Sequence, residues 1–161
     1  MTGWINVNVY GALKGNPGLA GCGGIFRDYR GKCHGFFFSS CGTASSLVAE
    51  IMGVINVVTF SLQKGWTNIW FECDSTTIVQ ALWNRVTHLA WPLTTRLMKC
   101  LDSLLGINFN ATHIFREANA VVDALANKGV NQVLTWLDVM PLDLLHFYQK
   151  DCKKLPSFHL L

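Results

Sequence analysis

The sequence predicts an α/β fold: a five-stranded mixed sheet, an antiparallel meander plus two parallel strands, with helices on both faces. Three observations predict it. The first forty residues fall into strand-like segments joined by tight turns. From residue 44 the apolar period changes to a helical one. A short, nearly all-apolar run at 68–73 is followed at once by Asp74 and Ser75, which reads as a doubly buried strand opening into a helix.

Residues 4–10 alternate as a first strand ending at Gly11-Ala12, and Lys14, Gly15, Asn16, Pro17 and Gly18 supply a turn. Residues 20–27 form a second strand, small and glycine-rich, so another element must pack closely on its backbone. A hairpin turn at 28–31 leads to a third strand at 33–40. A helix over 44–63 follows, with Leu47, Ile51, Val54, Ile55, Val58 and Leu62 inward and Gly65 as its cap. After the buried strand, Ile78, Val79 and Leu82 mark a second helix. Pro92 opens another helical stretch that Gly106 closes. Residues 107–115 alternate as a fifth strand, and 117–128 form a last helix with Val121, Val122, Leu125 and Ala126 inward. The domain therefore spans 1–130. Residues 131–161 contain Trp136, Leu142, Leu144, Leu145 and Phe147, too apolar for a free tail, so this segment is expected to dock on the domain and become mobile near its end.

The 161 residues are 50% hydrophobic and only 14% charged, which is oily for a soluble monomer and leaves room for a protein partner. No run of eighteen apolar residues suggests a membrane span, and the first residues do not read as a secretory signal, so the cytoplasm or nucleus is expected. The six cysteines lack metal-ligand spacing. Cys22 and Cys33 facing each other across a hairpin is one reading, and small buried thiols the one that burial preference favours. A net charge of +3, with scattered basic residues, permits nucleic-acid binding without requiring it.

Ten acidic residues are few enough to place singly. Glu50 lies in the first turns of the long helix, Asp74 just past the buried strand, and Asp123 in the last helix. All three sit in apolar sequence, where a lone ionised carboxylate is costly. Asp74 as a simple N-cap, and Glu50 and Asp123 on polar helix faces, are the bland alternatives. Topology favours function: strand ends of open α/β sheets bind ligands, and converging carboxylates hold Mg²⁺ for phosphoryl chemistry.

Asn8-Val-Tyr-Gly-Ala12, Gly15-Asn-Pro-Gly18, Ala20-Gly-Cys-Gly-Gly-Ile25 with Arg27-Asp28, Ala49-Glu50, Glu72-Cys-Asp-Ser75 and Arg116-Glu-Ala-Asn-Ala-Val-Val-Asp-Ala-Leu-Ala126 occur in order. Together, over residues 4–129, they resemble the plant ribonuclease H-like domains related to retroelement reverse transcriptases. The resemblance implies a ribonuclease H-like fold and an endonuclease that cuts the RNA strand of an RNA–DNA hybrid with two Mg²⁺ or Mn²⁺. Glu50, Asp74 and Asp123 match three of that family's four metal-binding carboxylates. The first should precede Gly11, and here Tyr10 stands in its place.

A phenol has one oxygen, a pKa near 10 and too much bulk to imitate a bridging carboxylate. Asn8, on the same strand face, is about 7 Å away, too far to substitute without a shift. Losing a two-metal centre costs on the order of several kcal/mol, or about a thousandfold in rate. The expectation is a pseudoenzyme with a single weak Mg²⁺ or Mn²⁺ site at most. Hybrid or RNA binding would then be retained through Gly11, Ala12, Asn16, Ser46 and Ser75. His113 matches a strand-end histidine that assists product release in relatives, although a partly buried strand residue is an equal reading. The alternatives are a protein-interaction or regulatory module with a vestigial cleft, and an active Mg²⁺-dependent enzyme that tolerates Tyr10. Oligomeric state is not legible.

Overall fold

The structure, a computed structural model, describes residues 2–15, 18–85, 91–115 and 120–154. Three antiparallel strands, β1 (Ile5–Gly15), β2 (Gly18–Asp28) and β3 (Cys33–Ala44), form the meander. Helix α1 (Ser46–Lys64) crosses to β4 (Asn68–Cys73), which lies parallel to β1. Helices α2 (Thr76–Asn84) and α3 (Trp91–Asp102), then a 3₁₀ turn, lead to β5 (Asn108–His113), parallel to β4. After α4 (Ala120–Gly129) come a short strand β6 (Thr135–Leu137) and α5 (Leu145–Lys154). The sheet runs β5-β4-β1-β2-β3-β6.

The sixth strand is an addition to the expected five. It pairs antiparallel with β3, placing Trp136 opposite Phe37. Trp136 anchors there because its ring sits 4.8 Å from Phe60 and 5.3 Å from Phe26, with the Lys64 ammonium 4.7 Å above it. Further on, Met140 and Leu144 are buried beside Phe36, and Tyr148 of α5 meets Phe36 edge-on at 5.9 Å.

Two cores flank the sheet. One joins Val7, Val9, Phe26, Phe37, Ile69 and Phe71 to α1, α2 and α3. The other joins Tyr10, Ile25, Phe36 and Phe38 to Val121, Val122, Leu125 and Ala126 of α4. The glycine-rich β2 explains the second. A Cβ on Gly23 would stand 2.7 Å from the Ala126 nitrogen, and one on Gly21 only 2.7 Å from the Val130 nitrogen. The helix therefore rests on strand backbone, and it is the close neighbour that the run of small residues implied without naming.

Some boundaries differ from expectation. β1 continues to Gly15 because β2 offers it ladder partners all the way to Gly18. Within α1 the buried set includes Ala49, Gly53, Val57 and Phe60, whereas Leu62 is exposed. That helix is apolar nearly all round and packs on both the sheet and α3, so its pattern does not define one stripe. By length and apolarity α1 could cross a bilayer, yet it serves here as a core helix. Cys22 stands opposite Ser39 and Cys33 opposite Arg27, so these two cysteines do not face each other.

At the sheet edge, the Trp83 indole donates to the Ala111 carbonyl at 2.9 Å and the Asn110 side chain accepts from the Ala111 amide. Side chains thus occupy backbone groups that an edge strand would otherwise offer to a neighbour.

Replacing Gly23 with Ala should destabilise the domain by about 1–3 kcal/mol, because the methyl meets helix backbone that cannot swing away. Gly106→Ala, where an added methyl meets nothing within 4 Å, should change little. Urea unfolding of the two variants checks the pair.

Candidate active site

The β1–β4 ladder ends at Val9 and Cys73, so Tyr10 and Asp74 occupy corresponding places one step beyond it. Asp74 is not the cap of α2. That role belongs to Ser75, whose hydroxyl accepts from the Ile78 amide at 3.4 Å. Asp74 is therefore free to face the strand ends, and its Oδ1 is buried with no hydrogen-bond partner.

Gly11 brings Glu50 to the same place. A Cβ there would lie 2.8 Å from the Glu50 amide nitrogen, so the first turns of α1 press directly on β1. The Glu50 carboxyl then hydrogen-bonds Ser75 and feels the charge of Asp74. Burial pushes it up to about 7, with Asp74 adding to the rise and Ser75 opposing it. Burial likewise raises Asp74, which is favoured as an anion by His113 and disfavoured by Asp123. Asp123, half-buried in α4, accepts from the Asn127 side chain at 3.4 Å. The three carboxylates thus gather at one sheet end, and Glu50 and Asp74 interact most directly. Among the described residues, however, no three acidic, His or Cys side chains stand close enough together to hold a metal ion.

Tyr10 lies beside these carboxylates in the chain's topology but belongs to the core. Its side chain is 6% exposed and packs with Ala12, Ile25, Val121, Val122 and Leu125 under α4. The ring is part of the apolar core beneath α4. Asn8, two residues back, is already committed: it accepts from Arg27 at 3.1 Å and donates to Glu72 at 3.0 Å. The donor chemistry at Glu50 and Asp74, with its orphaned buried oxygen, fits one hard cation completed by water. It does not fit a bridged pair.

The other expected site residues divide. His113 is exposed rather than partly buried, and its Nε2 lies 3.1 Å from the Asp74 carbonyl oxygen. Ser46 is exposed at the start of α1, while Ser45 provides the cap. Ser75 is engaged by α2 and Glu50. Gly11 and Ala12 are buried in β1, so they set spacing beneath the cleft and are not at its surface. Asn16 lies outside the described residues.

Two features escaped sequence reading. Cys73, buried under the site, is pushed up to about 12 mainly by burial and stays a neutral thiol. Phe115, assigned to the fifth strand by alternation, instead lies past it, 77% exposed and edge-on to His113 at 5.7 Å. Nothing in the pattern separates a strand's last apolar residue from an exposed aromatic.

For Glu50, a folded pKa above the unfolded value of 4.5 means the site's stabilising contribution is complete below that value and lost as pH rises through about 7. Glu50→Gln should therefore be more stable than the unmodified chain at pH 8, by on the order of 1–2 kcal/mol after solvent screening, and near-equal at pH 5. Thermal melts at the two pH values test this.

Comparison with known proteins identifies the family and the fold. Residues 8–129 match the reverse transcriptase-like family. An inferred ribonuclease H protein of Arabidopsis thaliana is 37% identical over 130 residues, covering 78% of this chain but only 20% of that protein, so the chain spans about a fifth of its curated relative. Ribonuclease H1 of the archaeon Halobacterium salinarum superposes with a TM-score of 0.70 at 25% identity, covering 80% of this chain and 98% of that one. A compost-derived ribonuclease H1 solved with an RNA/DNA hybrid gives a TM-score of 0.71 at 24% identity, covering 79% and 96% of the two chains. The family match and the shared fold lead to one conclusion: the chain belongs to the reverse transcriptase-like family and is a plant-type ribonuclease H-like domain.

Proposed function

We propose that this domain is a ribonuclease H-type module disarmed at Tyr10, which keeps a cleft able to bind RNA–DNA hybrid but cuts it little or not at all. The observation that carries this reading is the burial of the Tyr10 ring under α4, at the place where the family's first carboxylate would stand. Hydrolysis by two metals requires a ligand shared between them to align the attacking and leaving oxygens. Glu50 and Asp74 would hold a single Mg²⁺ or Mn²⁺ weakly, supplying Lewis acidity without that alignment. Glu50, held up to about 7 by burial, also has to lose its proton before it can bind a cation.

Support for hybrid binding comes from the compost-derived ribonuclease H1, which was solved with a hybrid and shares this fold. Ser46 and His113 remain exposed near the strand ends, suited to contacts with a sugar hydroxyl and a phosphate. A retroelement ancestry fits the match to the reverse transcriptase-like family. Protein recognition is a second reading, favoured by Val133, Val139 and Leu142, which flank β6 at 82%, 78% and 88% exposure.

A cleavage assay on a labelled hybrid, with Mg²⁺ and with Mn²⁺, tests the primary reading. The unmodified chain should show at most about a thousandth of the activity of Tyr10→Asp. Robust cutting by the unmodified chain would overturn it. Fluorescence polarisation should show hybrid binding that weakens steeply between low and physiological salt, since phosphate contacts release counterions. Absence of binding at low salt would leave the protein-recognition reading in its place.

A further inference from the structure

Cys22 and Cys41 are diagonal neighbours on the α1 face of the sheet. Cys22 pairs with Ser39, and β3 then bulges, because Gly21 opposes Ser40 while Ala20 opposes Gly42. Cys41 is the extra residue of that bulge. Both thiols join the same core, and Cys41 also packs beside Val48 and Ala49 at the start of α1. The two side chains sit in one apolar cluster on that face, and the Asn56 amide donates to the Cys22 sulfur at 3.4 Å. Cys22 is fully buried, whereas Cys41 is partly open to solvent. The described cysteines are all reduced.

We propose that Cys22 and Cys41 form a redox site, a thiol pair that peroxide oxidises to a disulfide between β2 and β3, beneath the turn of α1 that carries Glu50. Cys41 reacts first. The hydrogen bond from Cys22 holds its thiol below the ordinary value, and it is the sulfur that solvent reaches. Its thiolate attacks one peroxide oxygen, the O–O bond breaks, and protonation of the leaving hydroxide gives water and a sulfenic acid. The Cys22 sulfur then attacks the Cys41 sulfur, the S–O bond breaks, and the Cys22 proton leaves with the hydroxide as a second water. Two thiols are oxidised by two electrons and one peroxide is reduced to two waters.

This site is independent of the proposed cleft function. Cys33, opposite Arg27 at the other end of the hairpin, is too far along the ladder to compete. The bulge interrupts the regular ladder at Cys41, so pairing constrains this segment less than an unbroken pair of strands would.

Treating the whole folded chain with hydrogen peroxide, alkylating residual thiols under denaturing conditions and mapping peptides tests the proposal. Cleavage after Phe36, Phe37 and Phe38 separates Cys33 from Cys41, so the two possible links are distinguishable. The expected result is a mass lower by two hydrogens and one peptide joining Cys22 to Cys41, both reversed by dithiothreitol. Cys41→Ser should abolish the link and leave Cys22 alkylatable, while Cys33→Ser should leave it intact. Mapping the unmodified chain does not depend on any variant folding. Full alkylation of both cysteines after peroxide, over-oxidation of Cys41 without a link, or a link to Cys33 would each overturn the assignment.

Discussion

Helix backbone resting on strand backbone is the contact from which the rest of this domain follows. Gly11 admits the first turns of α1, and Gly21 and Gly23 admit α4, each at distances no side chain would permit. These approaches fix the two helices at the end of the β1–β4 ladder, one on each face of the sheet. Carboxylates in the apolar sequence of those helices then face the loop after β4. The site is a by-product of close packing, and its residues need no long side chains to meet.

Because the helices sit so close, the space beneath them is small and shaped. Tyr10 takes part of that space as a hydrophobic core residue, sealed by Val121, Val122 and Leu125. Tyr10 therefore anchors α4 through buried aromatic surface, on the order of 2 kcal/mol for a side chain of this size. Carboxylate repulsion runs alongside: Asp74 disfavours an ionised Glu50 and Asp123 disfavours an ionised Asp74, and a further anion at position 10 would add to that cost.

Much of this was legible in the sequence. The nearly all-apolar run at 68–73 defined β4 to the residue, although only its alternate residues are fully buried, and the glycines of β2 announced the close approach of another element. Glu50, Asp74 and Asp123 stood out because charges are rare in their surroundings. Other features were not legible, for reasons that are physical. β6 is three residues long and depends on an aromatic cluster drawn from β2, α1 and β3, which no local pattern encodes. The inward face of α1 was misplaced at Leu62 because a helix packed on two sides carries no single stripe. The Cys22–Cys41 neighbourhood depends on a bulge, and one extra residue in β3 changes which side chains meet.

The central claim is that Tyr10 leaves this site unable to assemble two metals. Calorimetric titration of the unmodified chain with Mn²⁺, at a pH above 7 where Glu50 is ionised, addresses it most directly. The account predicts one weak site, lost in Asp74→Asn, and a second site gained in Tyr10→Asp. Two ions bound by the unmodified chain, both lost when Asp74 is replaced, would contradict it.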